Sequence, residues 1–555
     1  MTAKNVFSQL LVSALMACLL YPPALTAQQK VQVQQWTPLE LTYRSDTIYA
    51  NPLYDATLEA IFEGPSGKRH RVAGFWDGGD TWKIRFTPDE VGTWQYRTRS
   101  ADTANRGLHQ QEGKFRSRKN PSSLEIYSHG KVGHGAGDYQ LSHADGTPFF
   151  YLGCTAWNGA LRATALEWAT YLRHRREHHY SVIQFVCTQW RGLPAEAMEV
   201  AAYTGDDPLS INPAFFQTLD KKIEQINAAG LVAAPVMLWV YGAGPGSDLP
   251  VASAIQLAKY IKARYDAYHV IWNLGGDGVF TGDQEAKWKA IGREVFGDSS
   301  ANQSPVTLHA GGYHWYGHDY DGEPWLDMIS YQTGHTNAEN HVRWKTRGPV
   351  ANGWHQLKPR PIIDTEPVYE NQGERANDHE VRKSVFWSLF SAPVAGVSYG
   401  AWSTWPWLRV GEMSYNHGMK DPSPFDWEDG IKSRASIQLG RLPAFFGRFN
   451  WWELRPVRDA VRSQSGGDSI SSTISVLADG RGDLTLVYVP VAQTFVLAYE
   501  QPESIQEAAW FLPATGAYVP ADLSPGQQAV EVTSPSDSDA ILVLSKSALP
   551  PVQKR

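Results

Sequence analysis

The sequence predicts a multidomain protein in which a central (β/α)8 TIM barrel is flanked by N-terminal and C-terminal antiparallel β-sandwich domains. Three observations carry that prediction. Near the start, apolar residues alternate with period 2, the mark of half-buried strands. From Phe149 to Gly396, eight short apolar runs alternate with amphipathic helical patterns. After Val457 the alternating strands return. A chain of 555 residues holds two to four domains at roughly 150 residues each. With 42% apolar and 19% charged residues, it is neither disordered nor fibrous.

The opening segment predicts export. Lys4 precedes the apolar run Leu10 to Tyr21, and small residues follow at Ala24, Thr26 and Ala27. This is the pattern of a secretory signal over residues 1–27, its apolar run too short to span a bilayer. The alternative reading is Leu15-Met16-Ala17-Cys18, a lipoprotein processing box with Cys18 lipidated. Leu19, Leu20 and Tyr21 continue the apolar run past that cysteine and favour plain secretion. Either reading places the mature chain in the periplasm or outside the cell, with no later membrane span. Even all three cysteines are too few for a disulfide scaffold, and removal of residues 1–27 leaves Cys154 and Cys187. They end neighbouring strands and are expected as two free, partly buried thiols.

Residues 31–120 form the expected N-terminal sandwich, of immunoglobulin type. Leu39 to Tyr43 and Thr57 to Phe62 alternate, and turns fall at Gly64 to Gly67 and Asp77 to Asp80. Trp82 to Pro88 followed by Gly92 to Tyr96 reads as a hairpin. The barrel is expected over residues 135–450, with strands beginning at Phe149, Ser181, Leu231, Val270, Pro305, Asp327, Pro361 and Gly396. Helices are expected at Leu166–His178, Pro213–Ala229, Ala252–Tyr268, Asp283–Phe296 and His379–Ser391. The short gap after Pro305 leaves no room for a full helix. Residues 455–550 form the C-terminal sandwich, around Leu484 to Val489 and Ala540 to Leu544. Arg481-Gly482-Asp483 is a plain turn between two strands.

The charge is −7, from 57 acidic against 50 basic side chains, with no Lys/Arg block. That argues against a nucleic-acid partner. The 22 Trp and 25 Tyr instead predict flat amphipathic surfaces that stack on sugar rings.

Chemistry in such a barrel gathers at the C-terminal strand ends. Strand 4 ends Gly275-Gly276-Asp277-Gly278, and strand 7 ends Asp364-Thr365-Glu366-Pro367. Hydrolysis of a glycosidic bond needs such a pair of carboxylates, one protonated and one ionised. Either motif alone is commonly just a turn or a strand end. Both at the two appropriate ends of a regular strand count point to Asp277 and Glu366 as the catalytic pair. Around them stand candidate sugar-binding residues. These are Trp157 and Asn158 after strand 1, Gln189 and Trp190 after strand 2, and Trp239 closing strand 3. His309 closes strand 5, Gln332 and His335 follow strand 6, and Tyr369 and Glu370 follow strand 7. Trp402 and Trp405 follow strand 8. Trp faces stack on rings, whereas Asn, Gln and His bond hydroxyls. Core packing beneath the loops is the bland expectation for about half of the Trp. Without an HxH or HExxH spacing, hydrogen bonding is expected of His309 and His335, and neither metal nor organic cofactor is implied.

The three-part layout resembles the apiosidase-like glycoside hydrolases, family 140 and its relatives. Gly74-Phe75-Trp76, Phe86-Thr87-Pro88 and Gly92-Thr93-Trp94 are similar to the module ahead of such barrels. Pro148 to Trp157, Gly275-Gly276-Asp277 and Asp364 to Glu370 are similar to the barrel. Ala509 to Gly516 is similar to a C-terminal module labelled collagen-binding. The resemblance implies Asp277 as general acid/base and Glu366 as nucleophile. Such relatives carry Asp where this chain has Cys154, implying a different sugar at the subsite near strand 1.

The expected function is therefore an exported glycoside hydrolase cleaving a polysaccharide or oligosaccharide, with retention favoured. A non-catalytic glycan- or matrix-binding protein using the barrel as a platform is the rival. A uronate lyase is a third reading, disfavoured because no Lys stands among the candidate site residues.

Overall fold

The computed structural model describes residues 32–188, 201–242, 244–298, 304–372, 376–413, 422–467, 469–535 and 537–549. The expected signal segment with Cys18, and the candidates Gln189 and Trp190, lie outside the described residues.

The N-terminal residues form two facing sheets. One is five-stranded, ordered Gln32–Gln34, Glu112–Arg118, Gly92–Ser100, Leu58–Glu63, Arg69–Ala73. The other is three-stranded, ordered Leu39–Arg44, Thr81–Phe86, Phe75–Trp76. Period-2 alternation puts Ala60 and Phe62 of the first against Trp82, Ile84 and Phe86 of the second. The expected hairpin between Trp82 and Tyr96 is corrected. Thr81–Phe86 pairs with Leu39–Arg44, whereas Gly92–Ser100 pairs with strands of the other sheet. The chain crosses the sandwich at Pro88, so Phe86 and Trp94 meet edge to face at 5.0 Å across the core.

Eight parallel strands then close a barrel. They are β1 (Tyr151–Thr155), β2 (Val182–Val186), β3 (Val232–Trp239), β4 (Trp272–Gly278), β5 (Val306–Ala310), β6 (Ile329–Gln332), β7 (Ile362–Glu366) and β8 (Gly396–Tyr399). Each begins within two residues of its predicted start. The main covering helices are α1 (Ala165–Glu177), α2 (Pro213–Ala228), α3 (Val251–Tyr265), α4 (Glu285–Phe296), α5 (Glu339–Arg347) and α6 (Asp378–Leu389). Local chemistry sets their starts. Thr164 and Glu167 form a capping box at α1, and Asn212 caps α2 with Pro213 in its first turn. Between β5 and β6 no helix occurs among the described residues. Tyr316 fills the gap, its hydroxyl donating to Leu308 O at 2.7 Å and accepting from Ser330 N at 3.0 Å.

The N-terminal end of the barrel is plugged by Tyr151, Val182, Val232, Ile271, Met328 and Ile363. The opposite end therefore carries the opening. Buried ion pairs lock the first sandwich to the barrel helices: Asp220 of α2 binds Arg85 at 2.6 Å and Arg264 of α3 at 2.7 Å. The C-terminal residues form a six-stranded and a four-stranded sheet, with Leu484–Val489 and Ala540–Ser545 paired in the former. Arg382 of α6 anchors it through Asp539 at 2.7 Å. Arg481-Gly482-Asp483 lies in the turn between Ser475–Ala478 and Leu484–Val489, closed by Gly482 N donating to Asp479 O at 3.1 Å.

Cys154 and Cys187 are free and buried. The subsite role implied for position 154 is corrected: the Cys154 thiol sits 3.5 Å from the Arg175 guanidinium beneath α1, away from the barrel opening.

Candidate active site

Glu366 and Asp277 line one cavity of about 420 Å3 at the C-terminal ends of the strands. Trp157, Trp239, Gln332, His335 and Trp405 line it with them.

Glu366 ends β7 and is only 7% exposed. Its Oε2 faces His309 Nε2 at 2.8 Å, and its Oε1 faces His335 Nε2 at 3.2 Å. Behind it, the Thr365 hydroxyl meets His309 Nδ1 at 2.9 Å, which holds the ring in the orientation that aims Nε2 at the carboxylate. Burial pushes the Glu366 carboxyl up, but the two histidine hydrogen bonds and their charges override it and hold it well below the usual carboxylate range. Asp364 fixes the backbone, accepting from Glu366 N at 3.2 Å, while Thr333 and Ser388 donate to its other oxygen.

Asp277 is positioned differently. The ladder between β4 and β5 slips at this point, Gly276 pairing with His309 and Gly278 with Ala310, so Asp277 bulges out. Its φ is +50°, the left-handed region that Asp enters more readily than most residues. Gln332 Nε2 approaches its Oδ1 at 3.5 Å. Gly276 is needed here, since a Cβ would come within 2.4 Å of Val236 and 2.8 Å of Trp239.

Three indoles wall the cavity, and each N–H is tied to a protein acceptor. Trp157 Nε1 donates to Tyr369 Oη at 3.2 Å, Trp239 Nε1 to Tyr241 O at 3.0 Å, and Trp405 Nε1 to Gln372 Oε1 at 2.7 Å. These bonds fix the ring planes. The expectation that Tyr369 meets sugar is corrected: it is buried behind the lining, between Trp157 and Glu366. Burial and the neighbouring Glu366 charge raise its phenol well above the ordinary value, keeping it protonated.

Four further expectations are corrected. His309 is fully buried and engages Glu366 where a sugar hydroxyl was expected. Glu370 turns away and accepts from Tyr399 and Ser433 at 2.8 and 2.6 Å and from Ala435 N at 3.2 Å, so it holds residues 433–435 where contact with sugar was expected. Asn158 donates to Pro406 O at 3.3 Å, bracing the chain beside Trp405. Trp402 packs edge-on against Trp405 at 5.4 Å, the core role expected of some Trp. Lining residues not anticipated include Tyr241, Val279, His314 and Gln372, with Gly311 and Gly312. The Gly-Gly pair directly after β5 was the available signal: a Cβ at Gly311 would sit 3.4 Å from Asp277 Oδ1. No group of three or more His, Cys, Asp or Glu that could hold a metal occurs among the described residues.

A closed parallel barrel with two carboxylates and three indoles at its mouth is a barrel of the glycoside-hydrolase kind. The chain belongs to the apiosidase-like family. Residues 136–453 match the model described as "Apiosidase-like, catalytic domain", and residues 32–101 match a domain of unknown function, DUF5060. Among solved structures, a glycoside hydrolase is 22% identical with a TM-score of 0.61, covering 76% of this chain and 98% of its own. A family 5 glycoside hydrolase from Bacteroides vulgatus ATCC 8482 is 21% identical with a TM-score of 0.64, covering 77% and 96%. A further protein of that organism is 19% identical with a TM-score of 0.68, covering 93% and 100%. At these identities the likeness is one of fold. No curated protein matches the chain.

Proposed function

We propose that the protein is an exported glycoside hydrolase that cleaves O-glycosidic bonds in a polysaccharide or oligosaccharide with retention of configuration. The observation that carries this reading is Glu366, buried yet held anionic by His309 and His335, in the same cavity as Asp277. A Glu366 oxygen attacks the anomeric carbon as the bond to the leaving oxygen breaks, and Asp277 gives that oxygen its proton. Water then attacks the glycosyl-enzyme ester, its proton passes to Asp277, and Glu366 leaves as the carboxylate. Trp157, Trp239 and Trp405 supply ring faces to the sugars, with Gln332 for hydroxyls.

The test is a screen of plant and algal glycans with chromatographic product analysis, run on the wild type, Glu366→Gln and Asp277→Asn. Sugar release by the wild type, lost by orders of magnitude in both folded variants, is the expected result. Full activity in either variant overturns the assignment. Retention of the protein on a glycan gel with no reducing ends released over time would favour the non-catalytic reading.

A further inference from the structure

We infer that a second, non-catalytic site for a uronate-bearing saccharide lies in the cleft between the barrel and the C-terminal sandwich. The cleft has a volume of about 650 Å3, larger than the catalytic cavity and within the range of roughly 300–1,000 Å3 usual for ligand sites. Its barrel wall is the end of α5 with the short helix Pro349–Gly353. Its other wall is the strand Val461–Gln464 with residues 457–460 before it.

Charge gives the cleft its chemistry. Arg347, Arg458 and Arg462 line it, against Asp459 as the one carboxylate among the described lining residues. The whole chain carries −7, so this is a local excess of the opposite sign. All three arginines are exposed, and none makes an ion pair among the described residues. Arg462 is partly engaged, its Nη2 donating to Gln528 O at 2.8 Å and its Nη1 to Gln527 O at 3.5 Å, so Arg347 and Arg458 are the principal forks. Guanidinium forks bind carboxylates through paired, charge-assisted hydrogen bonds, and a cluster of them suits a chain with repeated carboxylates. Asn352, Ser463 and Gln464, also in the lining, offer donors and acceptors for ring hydroxyls.

The contrast with the catalytic cavity is chemical. There three indoles offer stacking faces, whereas here Phe390 is the one aromatic lining residue described. Single-stranded nucleic acid binds through aromatic platforms along a basic groove, and the cleft has no such row. The cleft therefore favours an acidic glycan, which it holds beside the barrel without taking part in bond cleavage. This inference does not depend on the catalytic reading.

The experiment is affinity electrophoresis of the full chain in native gels containing polygalacturonate, alginate, neutral galactan or DNA. The wild type and Glu366→Gln should be slowed equally by the two polyuronates and not by galactan, with the effect lost at about 0.5 M salt. The double variant Arg347→Ser/Arg458→Ser should bind about tenfold more weakly, equivalent to about 1.4 kcal/mol. Asp459→Asn, which suits the left-handed backbone there (φ +56°), should bind more tightly. That gain separates lost binding from lost folding. Absence of retardation by both polyuronates, equal retardation of the double variant, or equal retardation by DNA would each overturn the inference.

Discussion

The ends of β4 and β7 hold their carboxylates in contrasting ways. At β7 the strand is regular, Glu366 is nearly fully buried, and each oxygen faces a histidine. At β4 the strand bulges, the backbone is left-handed, and Asp277 is only half-buried, with Gln332 at 3.5 Å. The first setting stabilises an anion out of water. The second presents a half-buried carboxyl to the cavity. On the proposed reading, two acids of similar intrinsic strength take different tasks from these surroundings.

Four substitutions break or sharpen that contrast. Glu366→Gln removes the anion, and turnover should fall about a million-fold, the scale for loss of a covalent nucleophile. Product release from the screened glycan measures it, and a loss below tenfold would remove the contrast. Asp277→Ala should lower turnover by about 10²–10⁴-fold on a natural glycan. On an aryl glycoside whose leaving group needs no proton the loss should be much smaller, and equal losses on both would contradict a proton-donor role.

His309→Ala removes a buried donor to a charged group, costing about 1.5–3 kcal/mol, or about 10–100-fold in kcat/KM. It should also move the acid limb of kcat/KM to higher pH, because Glu366 loses part of what holds its pKa down. The same shift links to stability. The folded pKa of Glu366 lies below its unfolded value, about 4.3, so the contribution is complete above that pH and is lost as pH falls through the folded value. Stability of Glu366→Gln relative to wild type should therefore improve on acidification below about pH 4. The smallest effect is at the bulge. Asp277→Gly relieves the left-handed backbone and should stabilise the chain by about 1 kcal/mol, read from denaturant unfolding, while abolishing proton donation.

The barrel was legible because strands buried on both faces write uninterrupted apolar runs, and such runs mark all eight starts. α5 was not, since Glu339–Arg347 buries only Val342 and Lys345 and carries little apolar stripe. The pair Asp277 and Glu366 was legible because strand ends can be counted. Which way neighbouring side chains turn was not. Glu370 follows Glu366 by four residues yet faces residues 433–435, and its direction depends on where the chain returns far along the sequence. His309 was placed correctly at the end of β5, but its bond to Glu366 spans 57 residues and exists only through barrel closure.

Azide rescue tests the division of roles most directly. The account predicts that Asp277→Ala with azide yields a glycosyl azide of the substrate's own anomeric configuration, from attack on the Glu366 ester. Glu366→Ala with azide should instead yield the opposite anomer in a single displacement. The reverse pattern, or unaltered hydrolysis by either variant without azide, would contradict it.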